Sequence, residues 1–350
     1  MPIDLTRLAD IDAWPFDEII DVRSPAEYAE DRVPGAVNLP VLNDEERARV
    51  GTIYVQESPF KARKLGAALV ARNAARHIET VLASHPKRYR PLIYCWRGGQ
   101  RSGAFATILS QIGWRAEALA GGYRTYRRLV NAALYDAPLA HRFVVLDGNT
   151  GTAKTDLLAR LAARGNQVLD LEGLARHRGS LFGALAGGQP AQKDFESGIA
   201  MALARFDPAR PVLVEAESAK VGDRIVPPSV WAAMKQAPRL SVLAPLAARA
   251  AYLVEAYGAL AADRDAFAAR LDGLIAYHGR KQVSHWQALL ANGRLEALAE
   301  ALMREHYDPR YARQRARTAA LELGEIDVPD LSVETREAVC AEIERRLNQG

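Results

Sequence analysis

Only two cysteines occur in the 350 residues, at positions 95 and 340. Two thiols so far apart are no disulfide framework, so the core must come from apolar packing. No run approaches 18 uninterrupted apolar residues, which excludes a transmembrane helix and a membrane partner. The opening "MPIDLTRLADID" is acidic and has no apolar centre, so no secretory signal is legible and a cytoplasmic setting is expected. No internal repeat or low-complexity tract is apparent. Charge of one sign is also scarce, with a net value of only +4. The basic residues are nevertheless overwhelmingly arginine, whose planar fork suits phosphate. Charge by itself leaves open whether that phosphate belongs to a nucleic acid or to a small ligand.

What is present is an alternation of strand and helix signals. "EIIDVR" is rich in β-formers. In "SPAEYAED", Ser24 caps a helix with Pro25 first and Glu27 three residues on. "VPGAVNLP" turns into another short strand, residues 61–84 read as helix, and "LIYC" is a buried strand. With "AEALAGGYRTYRRLVNAAL" this makes an α/β unit with a parallel sheet over 1–136. "YDAPLAHR" is a connector. "FVVLDG" starts a second α/β unit over 137–245, in which "QVLDLEG" and "PVLVEAES" are further strands and Gly165 caps the first helix. Residues 246–350 are Ala-, Leu- and Arg-rich at helical spacing. They are expected to be a helical C-terminal region, either separate or part of the second unit. Cys340 lies among Val339, Ile343 and Leu347 and reads as core.

Cys95 has another setting. It ends a strand and is followed by Arg97, Gly98, Gly99 and Arg101, after which Ala104, Phe105, Ile108, Leu109 and Ile112 recur at helical spacing. A thiol between a strand and a helix N-terminus meets free N–H groups that hold anions and lower its pKa. The two glycines let those amides converge. This pattern predicts a reactive thiolate in an anion-binding loop. A second loop, "DGNTGTAKT", also joins a strand to a helix. Gly148, Lys154 and Thr155 fit the phosphate-loop pattern, Gly151 lies nearby, and Ala153 stands where the second glycine belongs. Such a loop cradles phosphate, with Lys154 bridging oxygens and Thr155 able to hold a metal ion such as magnesium.

Three further groups are candidates. Glu215 and Glu217, at the end of "PVLVEAES", can supply an acidic partner to the phosphate loop. "DLEGLARHRGS" gathers Glu172, Arg176, His177, Arg178 and Ser180 around glycines, as a substrate loop would. "REHYDPRYARQRAR" combines Tyr307 and Tyr311 with Arg310, Arg313, Arg315 and Arg317, a mixture suited to bases and phosphates. Pro309 between the tyrosines points to a turn or helix start.

The first unit resembles a rhodanese in "IIDVRSPAEY", "VPGAVNLP", the Cys95 loop and "LAGGYRTYR", in that order. Five residues, Trp96 to Gln100, separate Cys95 from Arg101, a spacing shared with cysteine-dependent phosphatases. The whole chain, with its phosphate loop, "DLEGLARHRGS" and "HYDPRYAR", resembles the tRNA 2-selenouridine synthases, whose loop reads CxRGGQRS. Ala153 departs from that family's phosphate loop. The resemblance implies a rhodanese-like domain fused to a P-loop domain, with no tightly bound cofactor. It implies S-geranylation of the wobble 2-thiouridine of tRNA by geranyl diphosphate, then replacement of the geranylthio group by selenium from selenophosphate. Lys154 and its loop would hold the diphosphate. Cys95 would carry selenium or attack the nucleobase. Tyr307, Arg310, Tyr311 and Arg313 would touch tRNA. Rival readings are a cysteine-dependent phosphatase or sulfurtransferase, and a non-catalytic P-loop RNA-binding module. The first is weakened by the absence of an evident general-acid Asp beside the loop, the second by the intact Cys95 loop.

Overall fold

The computed structural model describes residues 2–180, 183, 185–315 and 322–349. It divides into two compact units, Met1–Ala137 with Pro190–Arg205, and Pro138–Gln189 with Phe206–Gly350.

The first unit is built on four parallel strands, β1 (Glu18–Asp21), β2 (Ala36–Asn38), β3 (Pro91–Tyr94) and β4 (Glu117–Ala118), in the order β2-β1-β3-β4. Apolar residues fill β3 because helices cover both faces, as a parallel sheet requires. The helix Pro25–Glu30 starts where Pro25 presets φ, and the Ser24 N–H donates to the Glu27 carboxylate at 3.2 Å. The long helix Pro59–Thr80 and the helix Gln100–Ile112 close the core around Ile20, Ile93 and Phe105.

One element of this unit comes from far along the chain. Helix Gln192–Arg205 buries Phe195, Ile199 and Leu203, and its Ser197 hydroxyl donates to Asp31 at 2.9 Å while Arg205 pairs with Asp12 at 2.7 Å. A division into 1–136 and 137–245, as the sequence suggests, places this helix in the second unit, whereas it packs in the first. Its apolar stripe has the ordinary helical period, which carries no mark of which unit it covers.

The second unit has five parallel strands, β5 (Phe143–Asp147), β6 (Gln167–Leu169), β7 (Val212–Glu215), β10 (Arg239–Leu243) and β11 (Glu322–Asp327), in the order β11-β10-β5-β7-β6. A small hairpin, β8 (Lys220–Val221) and β9 (Arg224–Ile225), stands apart. The chain turns from one side of β5 to the other after β7, and ligands of such sheets bind at the carboxyl ends of strands where the order switches. The 246–350 region is not purely helical. It supplies β11 to the sheet edge, and helix Val333–Leu347 places Cys340 in the core of this unit. β11 escapes sequence reading because "ELGEID" is half acidic and bears a glycine. It is a strand because Ile326 and Val328 pack beside Val242. Among the described residues no helix is long and apolar enough to cross a membrane.

Candidate active sites

In the first unit, β3 delivers Cys95 to the N-terminal end of helix Gln100–Ile112. Its thiol is buried, and the Ser102 hydroxyl lies 3.2 Å from the sulfur. Burial raises the pKa, but the Ser102 hydroxyl, the backbone N–H groups of Ser102 and Arg97, and the Arg101 charge outweigh it, so the thiol is held below its ordinary value. The loop shape depends on two glycines. A Cβ on Gly98 (φ +63°) would come within 2.5 Å of the Leu119 carbonyl oxygen, and one on Gly122 (φ +58°) within 2.2 Å of the Cys95 carbonyl oxygen. The "AGGY" turn thus interlocks with the cysteine loop, and the Tyr123 N–H donates to Cys95 O at 2.9 Å. Gly99 is the N-cap, Arg97 is exposed, and Arg101 pairs with Glu27 at 3.1 Å. Beneath them the Tyr123 hydroxyl donates to buried Asp31 at 2.7 Å.

In the second unit, β5 ends at Asp147, the loop follows, and helix Lys154–Ala163 begins. Gly148 and Gly151 have positive φ, and a Cβ on either would strike neighbouring atoms within 3 Å. Ala153 takes the left-handed conformation itself (φ +60°, ψ +23°) with its methyl in the core. The departure at Ala153 therefore keeps the backbone course of a glycine loop at a local cost of about 1–2 kcal/mol. Lys154 Nζ donates to Gly148 O at 2.7 Å and sits 5.5 Å from the Tyr311 ring centroid. Burial lowers its pKa against the pull of Asp147, Glu172 and Glu217. Arg249, bridging Asp308 at 2.8 Å and Thr150 O at 3.1 Å, braces the loop.

Thr155 donates to Glu172 at 2.9 Å, and buried Glu215 accepts the Glu172 N–H at 2.7 Å. Burial raises Glu172 and Glu215, and burial with the Glu172 charge pushes Glu217 up to about 8. A Cβ on Gly179 would lie 2.1 Å from Glu217 Oε1, so glycine lets the "RHRGS" loop close over the acids. These groups line one end of a cavity of about 410 Å³, with Arg178 and Ser180 beside them. The rest of the lining is largely apolar: Leu253, beside Gly151, and Phe267, Leu295, Leu298, Leu302 and Met303.

Gly151, Lys154, Thr155, Glu172, Arg178, Ser180, Glu215 and Glu217 converge on this cavity. Arg176 and His177 do not line it. Arg176 caps the short helix Leu171–Ala175 in the left-handed conformation and is exposed, and that turn carries 178–180 to the cavity instead. Tyr307 and Tyr311 both line the same cavity, Tyr307 as the last residue of a π-helical turn, Met303–Tyr307, and Tyr311 on helix Asp308–Arg315. Arg315 is held by Asp147 at 3.0 Å. Arg310 and Arg313 are exposed. Arg317 lies outside the described residues.

The family model for the tRNA 2-selenouridine synthase AAA domain matches residues 141–285, and the rhodanese-like domain model matches 4–129. A tRNA 2-selenouridine synthase from Cupriavidus pinatubonensis is 35% identical over 86% of this chain and 90% of its own length. The chain belongs to the tRNA 2-selenouridine synthase family. The relative of the same name from Pseudomonas entomophila is 33% identical over 94% of each chain. That from Nitrosomonas europaea is 37% identical over 68% of this chain, and the match spans 63% of the relative.

Within this family member, several site residues escape sequence reading. Glu27 looks like a helix cap alone, Arg249 like one more arginine on a helix, and the apolar arm like ordinary core. Only Ser102 and Gly122 left a signal, as parts of "RGGQRS" and "LAGGY".

Proposed function

We propose that the protein converts wobble 2-thiouridine of tRNA to 2-selenouridine in two steps at two sites, in the cytoplasm. In the first, geranyl diphosphate alkylates the thiocarbonyl sulfur. In the second, selenium from selenophosphate displaces the geranylthio group. The observation that carries the reading is the joining of a phosphate loop to an apolar arm in one cavity of about 410 Å³. An isoprenyl diphosphate matches both ends. Loop amides and Lys154 hold the anion, and each methylene in the arm contributes about 0.8 kcal/mol. Lys154 stabilises the charge on the departing diphosphate. Thr155 is the loop's hydroxyl for a magnesium ion, whose other ligands would come mainly from diphosphate and water. The lowered pKa of Cys95 supports its role as the thiolate that handles selenium, with Arg97 and the loop amides receiving the selenophosphate anion. The relatives' name supports the RNA and selenium parts of the reading. A phosphatase or a plain RNA-binding module leaves the apolar arm without use.

Thiolated tRNA incubated with geranyl diphosphate, with and without selenophosphate, and analysed by nucleoside mass spectrometry tests this. Cys95→Ala should retain geranylation and lose selenium incorporation. Lys154→Ala should lower geranylation roughly a hundredfold, the size expected for one lost charge-stabilising donor. A folded Cys95→Ala protein that no longer geranylates would overturn the division of labour. A Lys154→Ala protein geranylating at the wild-type rate would give the loop to another ligand.

A further inference from the structure

A second cavity of about 450 Å³ lies in the second unit. Its wall includes Trp231 on helix Pro228–Gln236, Lys235 one turn later, and Arg310 and Arg313 on helix Asp308–Arg315. Arg239, also in the wall, is tied to Asp147 at 3.1 Å. Among the described residues the one acid in the lining is Glu217, and Glu217 also lines the phosphate-loop cavity. Among the described residues no other borders both, so the two cavities meet at Glu217. Beside the second cavity, the Arg310 guanidinium lies 4.7 Å from the centroid of the Tyr277 ring, and Tyr277 is 67% exposed.

We infer that the second cavity receives the target pyrimidine nucleotide of the tRNA, its ring against Trp231 and its flanking phosphates on Lys235, Arg310 and Arg313. An aromatic face ringed by cations is the chemistry of a single-stranded nucleotide, which stacks through its base and pairs through its backbone. The exposed Tyr277–Arg310 stack extends that surface for a neighbouring base. A purely apolar ligand would meet too many cations here, and an acidic peptide would gain little from the indole. The assignment rests on the reading that the first cavity holds an isoprenyl diphosphate. Transfer between two substrates needs their reacting atoms within about 3.5 Å of each other, and the two cavities meet at Glu217. In the step itself, a sulfur lone pair forms the S–C bond. The C–O bond to diphosphate breaks with its electron pair, and the nucleobase N3 proton passes to solvent.

The test uses the full chain and a fluorescently labelled 2-thiouridine anticodon stem-loop, titrated at several salt concentrations without geranyl diphosphate, followed by steady-state geranylation. Trp231→Ala should weaken stem-loop binding about tenfold, as loss of one stacked base does, with an unchanged slope of log affinity against log salt. Trp231→Phe should bind within about threefold of wild type, since it keeps a ring. Arg313→Ala should reduce the salt slope by about one unit. All three should keep the wild-type KM for geranyl diphosphate. Wild-type stem-loop affinity in both Trp231→Ala and Arg313→Ala would overturn the assignment, as would equal losses in the Phe and Ala variants. A wild-type protein that binds the stem-loop through Trp231 yet never geranylates it would instead sink the reaction proposed above, leaving the RNA pocket standing.

Discussion

At the scale of single residues, environment sets chemistry more than identity does. Cys95 and Cys340 are both buried, yet Cys95 is lowered by a hydroxyl, loop amides and Arg101, whereas burial raises Cys340. Only the first is placed to act as a thiolate. Glu217 shows the same dependence. Beside Glu172 and out of water it holds its proton to about pH 8, so below that pH it adds little negative charge near the diphosphate. Diphosphate favours the protonated form, and affinity is therefore full below pH 8 and declines as pH rises through it. Calorimetric titration of geranyl diphosphate between pH 7 and 9.5, with metal removed, should show Kd rising by up to about tenfold per pH unit above 8. Glu217→Gln should flatten that rise. An equally steep rise in Glu217→Gln would assign the effect to another group.

At the scale of elements, the phosphate loop is held by contacts from distant parts of the second unit. Arg249 reaches its Thr150 carbonyl, Glu215 orients the Glu172 backbone, and Gly179 admits the acids. Helix Leu295–Leu302 serves both the core and the cavity. Leu298 and Leu302 join the cluster around Trp286 and, with Ala299, border the cavity. Ala299 is half-buried there, so a larger side chain fills the arm at little cost to the core. Ala299→Phe should raise KM for geranyl diphosphate at least about tenfold, the equivalent of two displaced methylenes at about 0.8 kcal/mol each. Its affinity for inorganic diphosphate should stay unchanged, and the five-carbon dimethylallyl diphosphate should be much less affected. Competition kinetics with the three ligands measure this. Equal loss for all three would mean that the substitution disturbed the loop rather than the arm.

At the scale of the whole molecule, the first unit is completed by a helix that the chain reaches only after building β5 and β6. Phe195, Ile199 and Leu203 are buried there, and Ser197 satisfies Asp31. Three such side chains contribute about 5 kcal/mol, taken from the low end of an area estimate that is itself an upper bound. Residues 1–137 expressed alone should melt more than about 10 °C below the same segment carrying 190–205 through a flexible linker, monitored by circular dichroism. Matching Tm values would show the helix to be dispensable for that unit. Much of the fold was nonetheless legible in the sequence. Strand, glycine-bearing loop and helix follow one another locally around Cys95 and Lys154, and local spacing alone determined both loops and the thiol. The tertiary structure decided what depends on distant partners. β11 is a strand because β10 is its neighbour, and helix Gln192–Arg205 covers the first unit because its apolar face fits there. Tyr307 and Tyr311 face the phosphate-loop cavity because the elements that carry them pack around it. The apolar arm and the meeting of the two cavities at Glu217 exist because segments as far apart as Thr150 and Tyr311 pack around the phosphate loop, and side-chain periodicity along a chain does not encode which face meets which.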